Sequence, residues 1–170
     1  MRIVAGRWRG RRLVAPAGML VRPTGDRVRE AWMSVVHPLL PDARVLDLFA
    51  GSGALGIEAV SRGAAHADLV ENAAPSLRAI EANVAALDAA ALVQIHRVDA
   101  LRFIATLAPH AYDVAFADPP YDLGLAAKVA ERWLEVPFAD VLGVEHRASE
   151  PMPDGGERRK YGGTAVTVYR

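Results

Sequence analysis

RVLDLFAGSGALGIEAVSRG, Arg44 to Gly63, holds two periodicities and a hinge between them. Arg44-Val45-Leu46-Asp47-Leu48-Phe49 is a short, nearly continuous apolar run, the pattern of a strand buried on both faces. Gly51, Ser52 and Gly53 then interrupt regular structure, and Ala54 onward reads as a helix closed by Gly63. Glycines at this point let the backbone approach a ligand closely, and they expose the N–H groups of the helix start beside the strand's carboxyl end.

The same alternation continues on both sides. ADLVE, VQIHRVD, DVAFAD and VLGVEH read as strands, separated by the helices APSLRAIEANVAAL, ALRFIATL and LAAKVAERWL. RRKYGGTAVTVYR reads as a closing hairpin that turns at Gly162-Gly163. Strand and helix in alternation predict an α/β fold: a mostly parallel, doubly wound sheet with helices on both faces and a terminal antiparallel hairpin. Upstream, MRIVAGRWRGRRLVAP reads as a small surface hairpin outside the core. A helix then begins after Pro23-Thr24-Gly25, capped by Thr24 or Asp26, with Val28, Trp32, Val35 and Val36 on one face and Pro38 as its stop. These boundaries divide the chain into a basic extension, residues 1–38, and an α/β domain, residues 39–170.

The chain has 170 residues and no cysteine, so thiolate metal sites, disulfides and a cysteine nucleophile are excluded together. No apolar run reaches the length of a membrane span, and Arg2, Arg7 and Arg9 interrupt the start, so a soluble cytoplasmic protein is expected. The five histidines lack metal-ligand spacing and read as surface or strand-filling residues, so no metal is expected. No nucleophile elbow surrounds Ser52. Net charge is zero but unevenly placed: residues 1–30 hold eight arginines against Asp26 and Glu30, and the rest of the chain carries the matching negative surplus. Arginine grips phosphate bidentately and stacks on bases. Arg7, Arg9, Arg11, Arg12 and Arg22, with Trp8 among them, are therefore the candidate nucleic-acid contacts; a solvated basic edge is the competing reading. Trp32 and Trp133 read as packing.

In a doubly wound sheet, ligands sit at the carboxyl ends of the strands. Four of those ends carry acids: Asp47, Glu71, Asp99 and Asp118. Glu71 is placed to accept ribose hydroxyls and Asp99 an adenine amine. Gly51-Ser52-Gly53-Ala54-Leu55-Gly56 matches the dinucleotide fingerprint by letter. Asp47 argues against a pyrophosphate and suits a ligand with a cationic centre. The last of the four acids opens Asp118-Pro119-Pro120-Tyr121, an acid, two residues without a backbone N–H, and a flat ring.

VLDLFAGSGALGIEAVSRGA together with DPPY resembles the class I S-adenosylmethionine-dependent methyltransferases that modify amino groups. The opening RIVAGRWRGRRL and the segment RPTGDRVREA narrow the resemblance to the bacterial 16S ribosomal RNA guanine-N2 methyltransferases, the small-subunit methyltransferase D family. Gly25, Trp32-Met33 and the short ASEPMPDGGE depart from the family pattern, and the last implies that one helix of the usual fold is lost. The resemblance implies a Rossmann-like sheet of seven strands and S-adenosylmethionine held by Asp47, Phe49, Gly51, Ser52, Gly53, Glu71, Asn72, Asp99, Ala100 and Asp118. It also implies a partner, 16S RNA or the small ribosomal subunit, and a monomeric enzyme. Asp118 and the Pro119 carbonyl would accept from the target amine, and Tyr121 would stack on the flipped base. An adenine-N6 methyltransferase and a non-catalytic RNA-binding assembly factor are the alternatives.

Overall fold

A computed structural model describes residues 1–19 and 23–170. Among these, β1 (Arg44–Leu48), β2 (His66–Glu71), β3 (Val93–Arg97), β4 (Tyr112–Ala117), β5 (Ala139–Arg147), β6 (Glu157–Tyr161) and β7 (Thr164–Tyr169) form one sheet in the order β3-β2-β1-β4-β5-β7-β6. The first five strands are parallel; β7 runs antiparallel between β5 and β6. The helices are α1 (Pro23–Val36), α2 (Ala54–Ser61), α3 (Ala74–Ala86), α4 (Ala100–Ala105) and α5 (Leu125–Glu135). Residues 148–156 contain no helix, as the short connection predicted. The strand order reverses between β1 and β4, which opens a crevice at their carboxyl ends.

Alternation along the buried strands sends side chains to two cores. Val45, Val114 and Phe116 face α1, α2 and α3, whereas Leu46, Leu48, Ala115 and Ala117 face α4 and α5. On α1 three residues of the expected stripe, Val28, Trp32 and Val36, are buried with Met33 added, Val35 is only partly buried, and Trp32 meets Phe116 edge-on at 5.2 Å between ring centres. The helix starts earlier than the proposed caps. Asp26 lies inside its first turn, where its carboxylate sits 3.4 Å from Arg29, instead of at the cap.

The basic opening also departs from a surface hairpin. A single antiparallel bridge joins Arg2 to Arg12, and Ile3 and Leu13 are buried in the same core as α1. Hairpin-like bonds satisfy part of its backbone, from Ile3 N to the Arg11 carbonyl (3.0 Å), Gly10 N to the Ile3 carbonyl (2.8 Å) and Leu13 N to the Met1 carbonyl (3.0 Å). Other N–H groups of the segment find acceptors on polar side chains buried on α2 and α3. Glu58, 1% exposed, accepts from Val4 N (2.9 Å) and Ala5 N (3.1 Å) and pairs with Arg62 (2.8 Å). Ser61 Oγ accepts from Trp8 N and donates to the Ala5 carbonyl, at 3.1 and 2.6 Å. Asn83 accepts from Val14 N (2.7 Å) and donates to the Val14 and Ser52 carbonyls (2.9 Å each). Gly6 packs so closely on Ser61 that a Cβ there would lie 1.7 Å from the Ser61 carbonyl oxygen.

Glu58→Ala leaves two N–H groups and the Arg62 guanidinium without their acceptor. Urea unfolding should show a loss on the order of 3–5 kcal/mol, the usual effect of breaking a buried pair. Glu58→Gln, which keeps an acceptor oxygen, should lose less.

Candidate active site

The β1–α2 loop is a strained turn that close packing enforces. Phe49 adopts φ +58°, a conformation rare for a bulky side chain, and Gly51 and Gly53 follow at +59° and +79°. Ala50 N donates to the Val70 carbonyl (3.1 Å) and Gly53 N to the Ala50 carbonyl (2.7 Å), which pins the turn from both ends. Gly56 is required by space: a Cβ would lie 2.3 Å from Leu69 Cδ2 and 3.3 Å from the Asp47 side chain. That closeness lets Gly56 N donate to Asp47 Oδ2 at 2.9 Å.

A cavity of about 230 Å³ opens over this turn. It brings together Asp47, Phe49, Gly51, Ser52 and Asp118, all expected at the donor site. Glu71 adjoins it by accepting from Gly51 N (2.9 Å), and its other oxygen accepts from Asn72 N (2.8 Å) and Ala73 N (2.9 Å). Gly53 turns toward Leu69 and Ile57 instead, as the residue that starts α2. Asp99 caps α4 by accepting from Arg102 N (3.0 Å), and it lies outside the cavity with Ala100.

Asp118 continues β4 past its last pair, with its N–H near the Leu48 carbonyl. Its carboxyl is reachable through the cavity mouth, yet the surrounding protein strips its hydration, and Glu145 and Asp47 add repulsion, so its pKa is raised well above the ordinary value. Burial likewise raises Asp47 to about 8; the Gly56 hydrogen bond opposes this and Glu71 adds to it. Glu145, near the end of β5, is raised by burial against a hydrogen bond from Tyr121. Sequence reading missed Glu145. The only signal was a lone acid inside the apolar run VLGVEH, and its role depends on β5 lying beside β4.

Tyr121 does not line the cavity. Its hydroxyl donates to Glu145 (2.8 Å) and lies 3.0 Å from Thr164 Oγ1, and burial keeps it a phenol. The Arg147 guanidinium stands 5.1 Å from the ring centre and pairs in turn with Asp122, whose backbone is left-handed at φ +64°. Pro119 is buried and Pro120 exposed. The opening lines the cavity with Met1, Ala15 and Pro16, but its arginines lie outside it: Arg7, Arg9, Arg11 and Arg12 are exposed, Arg7 sits over the Trp8 ring at 5.6 Å, and Trp8 packs partly on the core. Arg22 falls outside the described residues. The histidines differ from their reading as residues without carboxylate partners: His66 and His96 share Asp68 at 3.2 and 2.8 Å, and His110 pairs with Asp140 at 2.6 Å. These partners lie on neighbouring strands or close in sequence, and none is at the cavity.

The model of the family described as conserved hypothetical protein 95 matches residues 1–170. Ribosomal RNA small subunit methyltransferase D of Haemophilus influenzae is 33% identical over all of this chain and 92% of its own length. This chain belongs to their family. Methyltransferase D of Escherichia coli K12 is 43% identical over 74% of the chain, and the match spans 62% of that relative, less than two thirds of its length. The solved structure of yhhF from Escherichia coli, a methyltransferase by inference, is 34% identical with a TM-score of 0.85, covering 99% of this chain and 96% of that one. The family thus has the class I methyltransferase fold that the resemblance implied, on the mostly parallel sheet that the alternation predicts.

Asp47 gives a pH signature. Its folded pKa of about 8 lies above the unfolded value near 4, so between these the folded state holds a proton that the unfolded chain releases. This penalty on folding is absent below about pH 4 and grows as pH rises toward about 8. Asp47→Asn keeps an acceptor for Gly56 N and removes the penalty. The melting temperature of the variant minus that of the parent should therefore rise from pH 5 to pH 9; a constant difference would mean that Asp47 does not titrate in this range.

Proposed function

We propose that the chain transfers a methyl group from S-adenosylmethionine to the exocyclic N2 amine of one guanine in 16S ribosomal RNA. It would act as a monomer on an assembled small-subunit particle, with residues 1–38 as an RNA-contacting extension of the methyltransferase domain, 39–170. The observation that carries this reading is the convergence of Asp47, the glycine loop and Asp118 on one cavity. The names of the methyltransferase D relatives support the substrate.

The residues present fit the donor. Burial raises the pKa of Asp47, Asp118 and Glu145 at this cavity, and a cationic ligand beside them would favour their charged forms. When bound, the donor supplies a methyl group activated by its sulfonium. The cavity is small for a whole nucleoside ligand, so Glu71, Asn72 and Asp99, which lie outside its lining, would take the remainder. Glu71 keeps acceptor capacity beyond its three backbone bonds.

Asp118 and the Pro119 carbonyl accept from the two N–H groups of the target amine in this reading. An aryl amine is a weak nucleophile because its lone pair is delocalised, and acceptors on both N–H groups favour the pyramidal, reactive form. The groups are positioned beforehand, so they stabilise charge developing on nitrogen without reorganising. Arg147 stands over the Tyr121 ring, and in this reading an extruded base would stack on the opposite face.

Two measurements test the reading. In single-turnover methyl transfer to small-subunit particles, Asp118→Ala should be slower by about 10²–10³, the usual loss of one preorganised group, with donor affinity nearly unchanged. Asp118→Asn should retain more activity, and nucleoside mass mapping should find N2-methylguanine as the product. A rate within a few-fold of the parent would reduce Asp118 to a structural acid. Separately, RNA affinity should fall steeply with salt, and replacing Arg7, Arg9, Arg11 and Arg12 by alanine should lower the slope by nearly one per arginine. An unchanged slope would leave these arginines as surface charge only.

A further inference from the structure

Glu145 stands beside Asp118 at the carboxyl edge of the sheet. Ala117 on β4 is level with Val144 on β5, so the residues that follow, Asp118 and Glu145, are neighbours across two parallel strands. Side chains at one level of adjacent strands project to the same face, with the backbones about 4.8 Å apart. Both carboxyls line the cavity. The strand order runs β2-β1-β4-β5, so Glu71 and the glycine loop lie on one flank of Asp118 and Glu145 on the other. A donor held at the ends of β1 and β2 leaves the β5 flank to the base that receives the methyl group.

The two oxygens of Glu145 differ. Oε1 accepts from the Tyr121 hydroxyl at 2.8 Å, a bond that favours the carboxylate over the acid. Oε2 accepts from no donor among the described residues, although the residue is only partly exposed. Carboxylate oxygens out of bulk water normally have donors, so this one is an acceptor held ready beside the reacting group.

Purine chemistry decides which donor fits. In guanine the N2 amine adjoins N1–H, a donor; in adenine the N6 amine adjoins N1, which carries a lone pair and no hydrogen. With Asp118 accepting from the amine, the neighbouring ring position falls to the group next to Asp118. A carboxylate there pairs with guanine and is left opposed to the lone pair of adenine. Extruded bases are read at this Watson–Crick edge.

We propose that Glu145 accepts from N1–H of the target guanine and so selects guanine over purines that carry no hydrogen at N1. This rests on the guanine N2 amine as the methyl acceptor.

Small-subunit particles reconstituted with RNA in which 2,6-diaminopurine replaces the methylated guanine test the proposal. That base keeps the amine on C2 and has a bare N1. The readout is the ratio of single-turnover rates, guanine over diaminopurine. The parent should favour guanine, and in Glu145→Ala the ratio should fall roughly tenfold to a hundredfold, the range for a charge-assisted hydrogen bond. Glu145→Gln keeps an acceptor for Tyr121 and offers an N–H to the bare N1, so its ratio should fall at least as far. It decides by the same criterion where Glu145→Ala does not fold. Variants that slow both substrates equally and keep the parental ratio overturn the proposal, and Glu145 then only holds Tyr121. A parent that methylates both bases at equal rates overturns it as well. A parent that transfers no methyl group to guanine removes the guanine reading, and the proposal with it.

Discussion

An irregular backbone lies against a closed core, and the protein must satisfy it there. Residues 2–14 form one bridge and no regular ladder, yet Ile3 and Leu13 are buried. Each unpaired N–H or carbonyl in such a place would cost about as much as a lost hydrogen bond. Glu58, Ser61 and Asn83 remove that cost from the α2 and α3 side. Their presence inside otherwise apolar helix faces follows from this constraint, as does the glycine at position 6. With the segment anchored, Ala15, Pro16 and α1 close one side of the cavity.

The cavity itself is built against electrostatic stability. Asp47, Asp118 and Glu145 come together because parallel strands deliver their carboxyl ends to one edge of the sheet. Burial raises all three, with repulsion from Glu145 and Asp47 added at Asp118 and from Glu71 at Asp47, so these carboxyls hold their protons to higher pH than isolated ones. A cationic ligand reverses this preference. The strained Phe49 and Asp122 stand on loops flanking the same edge, where surrounding hydrogen bonds hold conformations that the residues alone would not adopt.

Tyr121 shows how the antiparallel end of the sheet serves the parallel part. Its hydroxyl reaches Glu145 on β5 and Thr164 on β7, and Arg147 from the end of β5 lies over its ring. The terminal hairpin therefore fixes the loop after β4. The connection between β5 and β6 contains no helix and is a short path to this hairpin.

Local pattern determined much of the protein. Apolar runs alternating with helical segments specified the parallel sheet, Gly162-Gly163 marked the terminal turn, and the glycines after Asp47 with DPPY after β4 located the site, because turn chemistry and strand ends are written in adjacent residues. Tertiary structure decided which strand ends share a cavity. It separated Asp99, a helix cap, from Asp47 and Asp118, and it brought Glu145, Arg29 and Trp32 to the cavity wall from other elements. It also turned the basic opening into part of the core, since burial of Ile3 depends on partners more than fifty residues away. Spacing along a chain records periodicity and turns; it does not record which distant groups remove water from a carboxylate.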